Sequence, residues 1–431
     1  MAGTSFRRHT RRPLAACLAL LLAMTAFSVP SSAYSVLTHE QIVDLVWADE
    51  IVPLLLQRYP DASPDQLRAA HAFAYGGCLI QDIGYYPFGS RFFSDLVHYV
   101  RSGDFVASLI TEAGDVNEYA FALGALAHYA ADISGHPAVN AAVAQEFPKL
   151  RAKYGKAITF AEDPRSHIRT EFGFDVVQVA KNRYTSEGYH DFIGFQVSKP
   201  LLERAFRDTY GLELRNTFGD FDLSVGTFRR SVSTVVPEMT RVALLLKKDE
   251  LVKENPTFAK KKFLYNLKRA DFEREWGKSY KKPGIGARIF AALFRMMPKV
   301  GPFKALKFQM PSPDTETLYL ASVNGSVQQY RIYLHDLAAQ RLVLANTDFD
   351  TGKLTRAGEY RLSDDAYAKL LNKLAEAKFA DMPDPLRQNI LEYYSHADAT
   401  TSSDRNRESW TRTLENIRQL KLVAAKTAAL P

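Results

Sequence analysis

The chain has 431 residues, of which 46% are hydrophobic and 24% are charged, so its length predicts a large buried core and two or three domains. The formal net charge is +7, and the only cysteines are Cys17 and Cys78. Because Cys17 lies in a predicted cleaved leader, no internal disulfide is expected, and size or a metal must stabilise the exported protein.

Residues 1–33 are predicted to be a secretory signal peptide that is not part of the fold. Four N-terminal arginines precede an apolar run over 14–27, and the small-residue site 31–33 follows. The apolar run is too short to span a membrane as a helix. We therefore expect cleavage after Ala33 and a secreted or periplasmic protein that begins at Tyr34. Because the leader carries four arginines and no acid, the formal charge falls from +7 to +3.

The spacing of apolar residues predicts helices along most of the mature chain. No run of alternating strands and no repeat interrupts this pattern, so we expect an all-α, multi-helical fold with a helical C-terminal extension. An aromatic loop over 81–89 and a polar connection over 147–164 separate some of the helices. In chain order the predicted helical segments cover 40–47, 65–80, 92–106, 115–140, a start at 166–171, 174–187, 196–210, 222–248, 363–379 and 404–426.

A turn is predicted over 348–358, between two of the C-terminal helices. The sequence DFDTG at 348–352 resembles part of a calcium-binding loop. Its sixth position is Lys353, however, where such loops require glycine. We therefore interpret this segment as a plain turn.

The most informative stretch is 121–140, a predicted helix of small and apolar residues that contains His128, Asp132 and His136. Residues four apart lie on one face of a helix, so these side chains are expected to be neighbours. Burying them among alanine and leucine is costly unless a partner compensates them. A divalent metal is one such partner, since imidazole nitrogen and carboxylate oxygen are zinc ligands. The alternative is a hydrogen-bonded Asp–His pair on a polar helix face.

The rest of the chain favours the metal, because further residues of ligand type occur in order before residue 172. Half of the ten histidines belong to this set, and His167 and Glu171 repeat the four-residue spacing. Cleavage after Ala33 would add the α-amine of Tyr34, which titrates near pH ~8 and can bind a metal. The eight candidate side chains are His39, Asp82, His98, His128, Asp132, His136, His167 and Glu171.

The order of these residues resembles that of the zinc-dependent phospholipase C family, whose fold is shared with single-strand nucleases that use three zincs. The resemblance covers about 34–250 and implies up to three zinc ions. It implies that Asp82, His98, His128 and Asp132 hold one zinc, and that His136, His167 and Glu171 hold a second, more open one. A third would be bound by Tyr34, His39 and Asp132, so that Asp132 bridges two ions. We take Asp82 and Glu171 as the candidate catalytic residues.

Three features of the pattern differ from the small bacterial phospholipases C. Asp132 and His136 are only four residues apart, and Thr38-His39 opens the mature chain, which is more similar to the glycosylphosphatidylinositol-specific phospholipase D branch. Tyr34 replaces the usual tryptophan, although an amine and a carbonyl come from any residue. The bond cleaved, C-type or D-type, and the head group stay open. The aromatic loop at 85–88 is either a cover for a choline group through cation–π contact or simply packed.

Residues 247–307 are strongly basic, with 17 Lys and Arg against 6 Asp and Glu, a local excess of 11. The other mature residues then carry a formal charge of −8. Aromatic and aliphatic residues alternate with the basic ones, so the segment is either a dock for anionic membrane or a solvated face whose apolar residues pack on the body. We divide the mature chain into a catalytic domain at 34–250, this basic segment at 251–312 and a helical C-terminal region at 313–431.

The function expected from these features is an exported zinc-dependent phosphodiester hydrolase, most simply a phospholipase C. Phospholipid or another phosphodiester is the expected substrate, since clustered zinc ions neutralise phosphate oxygens and activate water. One alternative is a single-strand nuclease of the same fold, but an acidic body argues against nucleic acid as a partner. The other is a zinc-stabilised envelope protein without catalytic activity.

Overall fold

The structure, a computed structural model, describes residues 36–180, 195–232, 310–380, 382–395 and 407–428. Within these residues the fold is all-α, as predicted, and the only strands are two strands of two residues each, which form a β-hairpin. The signal peptide, Tyr34 and the basic segment 247–307 lie outside the described residues, so the expectations for them stay predictions. In the part that is described, no helix is both long and apolar enough to cross a membrane.

The elements of the N-terminal part contribute all eight candidate side chains, and a short β-hairpin lies between the helices of the C-terminal part in sequence. In chain order the elements are α1 Val36–Val46, α2 Val52–Arg58, α3 Pro64–Ile80, α4 Arg91–Tyr99, α5 Ser102–Glu112, α6 Val116–Glu146, α7 Pro148–Tyr154, α8 Pro164–Ala180, α9 Lys199–Tyr210, α10 Phe221–Arg230, α11 Pro313–Ala338, β1 Thr347–Asp348, β2 Lys353–Leu354, α12 Arg361–Glu376, α13 Asp384–Ser395 and α14 Arg407–Ala428. Two 3₁₀ turns, Gln81–Tyr85 and Leu214–Asn216, and a π-helical turn, Trp47–Ile51, complete the described elements.

Helix α6 is the centre of the molecule, and its small residues explain how other helices approach it closely. The Asp115 carboxylate caps its N-terminus by accepting hydrogen bonds of 2.9 Å from two backbone amides. At Gly124 the backbone of α3 is so close that an added Cβ would lie 1.9 Å from the carbonyl oxygen of Ala74. On another side, α11 donates a 2.8 Å hydrogen bond from the Tyr330 hydroxyl to the carbonyl of Leu123.

The prediction of one helix over 92–106 was wrong, because the chain breaks between α4 and α5. Arg101 adopts a left-handed conformation with φ of 50°, and its guanidinium group donates to the Thr209 carbonyl at 2.7 Å. The break leaves backbone groups at the end of α4 available to another part of the chain. The hairpin uses them, since the Phe349 amide donates to the His98 carbonyl at 3.2 Å.

Three connections between the helices contain more regular structure than the sequence predicted. The polar connection predicted over 147–164 contains the short helix α7, which begins at Pro148, a residue suited to the first turn of a helix. The aromatic loop predicted over 81–89 begins as a 3₁₀ turn, Gln81–Tyr85, which carries Asp82. The turn predicted over 348–358 is the β-hairpin, in which Thr347 pairs with Leu354 and Asp348 with Lys353.

Candidate metal centre

All eight candidate side chains lie together at the middle of the helical body. They come from α1, the Gln81–Tyr85 turn, α4, α6 and α8. None is more than 4% exposed. Burying three carboxylates and five imidazoles at one place is costly unless their charges and lone pairs are matched by a partner. The residues of this cluster are His39, Asp82, His98, His128, Asp132, His136, His167 and Glu171.

Asp132 lies at the centre of this cluster, with imidazoles on several sides. Its Oδ2 atom is 3.2 Å from Nε2 of His128, 3.6 Å from that of His98 and 3.7 Å from that of His136. Its Oδ1 atom is 3.5 Å from Nε2 of His39. These separations exceed the roughly 2.7–2.9 Å of a charge-assisted hydrogen bond. They match two ligands of one tetrahedral zinc, which lie about 3.4 Å apart when each bond is about 2.1 Å long.

The backbone fixes the tautomers of two of these histidines. Nδ1 of His98 is 2.8 Å from the Ser94 carbonyl, and Nδ1 of His128 is 2.9 Å from the Cys78 carbonyl. Because a carbonyl only accepts, each Nδ1 carries a hydrogen, so Nε2 is the atom that offers a lone pair on the side of the Asp132 carboxylate once its own proton is lost to a metal. Both Nε2 atoms and both Asp132 oxygens are buried and make no hydrogen bond of good geometry. A cation between these acceptors resolves their mutual repulsion.

On α8, hydrogen bonds also fix the tautomer of His167, which lies one helical turn before Glu171. Nε2 of His167 lies 2.7 Å from Oδ1 of Asn140 and 2.9 Å from the Ile158 carbonyl, so it is the nitrogen that donates. Nδ1 then directs its lone pair at Oε1 of Glu171, only 2.9 Å away. Two acceptors at this distance require a proton or a metal ion between them. His136 from α6 completes this group.

Burial and neighbouring charge set the protonation of the central histidines when no metal is bound. Burial, helped by the nearby His128, lowers the pKa of His39 to about 4, so this ring is neutral and able to act as a ligand. Burial also lowers the pKa of His128, but Asp132 and Asp82 outweigh it and raise that pKa to about 9. Burial opposes ionisation of Asp132, yet His128 and His136 hold its pKa well below the ordinary value. A metal must therefore displace a proton from His128, which makes binding stronger as pH rises.

The cluster divides into three groups whose ligand atoms all lie within 4.8 Å of one another. Two of the groups are parts of single sites implied by the sequence resemblance, whereas the group of His39, His128 and Asp132 combines residues that the resemblance assigns to two different ions. The assignment of each residue to one ion stays a prediction. Tyr34, the remaining expected ligand, lies outside the described residues. The groups are His39, His128 and Asp132; Asp82, His98 and His128; and His136, His167 and Glu171.

The structure adds a residue that the sequence analysis missed, Asp350 of the β-hairpin. Its Oδ1 atom is 3.4 Å from Nε2 of His136, and its side chain is almost fully buried. The neighbouring Phe349 ring lies 5.1 Å from the ring of His98 and 6.0 Å from that of His128. The only signal in the sequence was the acidic pattern at 348–352, interpreted as a plain turn.

Aromatic side chains form one wall beside the cluster. The ring of Tyr85 lies 5.8 Å from that of His98 and 6.3 Å from that of Phe160. Phe160 in turn lies 6.2 Å from His167. The two tyrosines of the aromatic loop have different ring neighbours, because the ring of Tyr86 packs 4.4 Å from that of Phe228.

Comparison with known proteins gives one match. The model of the zinc dependent phospholipase C family matches residues 38–220. No curated protein and no solved structure matches the chain. The matched segment contains all eight side chains of the cluster, and it ends before the C-terminal helices and the hairpin that carries Asp350.

Proposed function

Since its segment 38–220 places this chain in the zinc-dependent phospholipase C family, we propose that the protein is a zinc hydrolase whose substrate is a phospholipid. The observation that supports this most strongly is the set of lone pairs that converge on Asp132. Two histidines with backbone-fixed tautomers face this carboxylate at separations suited to shared metal coordination.

The cluster residues divide the work of hydrolysis among them. Bound zinc would supply positive charge for the phosphate oxygens and lower the pKa of an attacking water towards ~7. Asp132 holds the central histidines in place, and its complete burial removes it from direct contact with substrate. Asp82 and Glu171 are the carboxylates that we assign to proton transfer. As the water oxygen bonds to phosphorus, one of these carboxylates would take up the proton of the water. The departing oxygen would take up a proton as its bond to phosphorus breaks.

We place the cleavage on the glycerol side of the phosphate, which gives diacylglycerol and a phosphorylated head group. The similarity of the HxxxDxxxH spacing to the glycosylphosphatidylinositol-specific phospholipase D branch makes D-type cleavage the alternative outcome. A nuclease of the same fold and a zinc-stabilised protein without turnover are the other two. The family match of 38–220 favours a phospholipid over these.

Export and zinc content belong to the same proposal. A leader cleaved after Ala33 places the protein in the periplasm or outside the cell and releases the α-amine of Tyr34. This amine, with His39 and Asp132, completes a third zinc site, so the mature protein would bind up to three ions. His39 supports this role, because its ring is stacked 4.4 Å from that of His128 beside the central carboxylate.

The test is a product analysis with mature protein that begins at Tyr34. Zinc-loaded protein is incubated with vesicles of several phospholipid classes and, separately, with single-stranded DNA. We expect diacylglycerol from at least one lipid and no DNA cleavage. Glu171→Gln should abolish the release, while Glu162→Gln, which alters an exposed carboxylate that accepts hydrogen bonds from the nearby Thr159, should not. Release of phosphatidic acid would establish D-type cleavage, and zinc binding without any product would contradict the proposal.

A further inference from the structure

The β-hairpin β1–β2 is fixed against the metal cluster by bonds to the break between α4 and α5. The Ser102 hydroxyl donates to the Thr347 carbonyl at 2.6 Å and accepts from the Thr347 amide at 3.0 Å. The Asn346 side chain bonds both the amide and the carboxylate of Asp104, at 3.1 Å each. The hairpin is therefore part of the packed body beside the cluster.

The tip of the hairpin also packs on α6, beside His136. Pro137 has no backbone N–H, so the Ile133 carbonyl one turn earlier lacks its helical partner. Gly352, with φ of 70°, lies over that carbonyl, and an added Cβ would be 2.6 Å from its oxygen. Only glycine combines this backbone conformation with so close an approach.

The carboxylate of Asp350 is held in one orientation. Its Oδ2 atom accepts a 2.9 Å hydrogen bond from the Tyr99 hydroxyl and a second one from the Tyr360 hydroxyl. These two donors leave Oδ1 directed at Nε2 of His136, 3.4 Å away, while Nδ1 of that ring is buried without a hydrogen bond and is the nitrogen left to bind a metal. Two phenols, one on α4 and one just before α12, thus fix a charge beside a ring of the cluster.

The backbone of the same residue reaches a second histidine through Asn140. Nδ2 of Asn140 donates to the Asp350 carbonyl at 2.7 Å, while its Oδ1 lies 2.7 Å from Nε2 of His167. The Asn140 amide therefore cannot turn around without losing both bonds. Asp350 acts on His136 with its side chain and on His167 through Asn140.

We infer that Asp350 is a positioning residue for the metal group His136, His167 and Glu171, supplied by a part of the chain beyond the family match. This inference rests on the proposed zinc binding at the cluster. Carboxylates behind metal-binding histidines orient the rings and raise their basicity, and their loss typically lowers metal affinity by 10–100-fold. The C-terminal region, on this account, completes the zinc centre as well as covering it.

The experiment measures zinc content of the mature full chain in buffers of fixed free zinc, by elemental analysis after dialysis. Asp350→Asn keeps the shape of the side chain and removes its charge. We expect one class of zinc site to shift to roughly 10–100-fold higher free zinc, while the sites around Asp132 keep their affinity. Asp348→Asn is the matched control, because this buried hairpin carboxylate bonds Thr351 and contacts none of the cluster rings at ion-pair distance.

A second pair of variants separates orientation from charge and from folding. Tyr99→Phe and Tyr360→Phe leave every charge in place but release Oδ2 of Asp350. Each should weaken the same class of site, with circular dichroism unchanged. In zinc-free protein labelled with ¹⁵N-histidine, Asp350→Asn should shift the ring resonances of His136 and leave those of His98 in place.

The outcomes distinguish the inference from the proposed function. A wild-type protein that takes up no zinc contradicts the proposed function itself. A wild-type protein that binds zinc, with an Asp350→Asn variant that binds it identically and shows unshifted His136 resonances, overturns the role of Asp350. Equal weakening of all zinc sites by Asp348→Asn and Asp350→Asn also overturns it, because the effect would then be general to the hairpin.

Discussion

Replacing Asp132 with asparagine should remove more metal than replacing His98 with alanine. Asp132 contributes to two of the inferred zinc sites, because one oxygen faces His39 and the other faces His98 and His128. Asparagine keeps the size of the side chain but loses the charge and one acceptor. His98→Ala, by contrast, removes one ligand of one site.

The magnitude follows from mass action. A ligand present at about 100 times its Kd stabilises the folded state by about 2.7 kcal/mol per site. Asp132→Asn should therefore lose about 5 kcal/mol of zinc-dependent stability and His98→Ala about half of that. The assay compares zinc content by elemental analysis, and the free energy of unfolding with zinc and with a chelator. Equal zinc content in the two variants would refute the bridging role of Asp132.

Four further predictions concern other parts of the chain. Gly352→Ala should displace the hairpin, because the new Cβ would lie 2.6 Å from the Ile133 oxygen, and we expect weaker zinc binding by elemental analysis; unchanged binding would contradict this. One extra residue before Tyr34 should remove one zinc ion and most of the activity. Full activity of a protein that keeps an N-terminal tag would contradict this prediction. Raising the pH from 6 to 8 should strengthen zinc binding in a calorimetric titration, since the pKa of His128 is raised to about 9 and its proton competes with the metal. Replacing the three lysines at 260–262 with glutamate should reduce the fraction of protein that sediments with anionic vesicles at low salt. Binding that depends neither on lipid charge nor on these substitutions would contradict a membrane-binding role for 247–307.

The candidate ligand set could be recognised in the sequence because most of its spacing is local. His128, Asp132 and His136 follow one another at one helical turn, and His167 and Glu171 do the same, so periodicity alone places each set on one helix face. All five lie buried in the cluster of the described structure. The all-α architecture was predictable for the same reason, since amphipathic periodicity is a property of neighbouring residues.

Asp350 could not be recognised in this way, because it meets His136 only through tertiary structure. The acidic pattern at 348–352 was visible, yet nothing local indicated that Tyr99 and Tyr360 hold its carboxylate beside a metal group. The break at Arg101 was missed for a related reason. Its left-handed conformation is stabilised by the distant Thr209 carbonyl, which leaves no mark on the hydrophobic spacing of 92–106.

The β-hairpin involves both features that the sequence did not predict, since it carries the carboxylate of Asp350 and contacts the helix break at Arg101. Its bond to the His98 carbonyl uses the end of α4, which a continuous helix would have occupied. A helix that ends at Tyr99 also brings the hydroxyl of that residue to Asp350. The feature that periodicity could not predict, the broken helix, thus lies where the C-terminal region joins the metal cluster.

The central claim, that the cluster around Asp132 is a zinc centre, is tested most directly by X-ray diffraction from crystals of the mature protein at the zinc absorption edge. The account predicts an anomalous peak about 2.0–2.2 Å from Nε2 of His98, Nε2 of His128 and an oxygen of Asp132. A second peak is expected between His136, His167 and Glu171. An anomalous map with no peak in zinc-soaked crystals, and with these side chains hydrogen-bonded to one another at 2.7–2.9 Å, would contradict it.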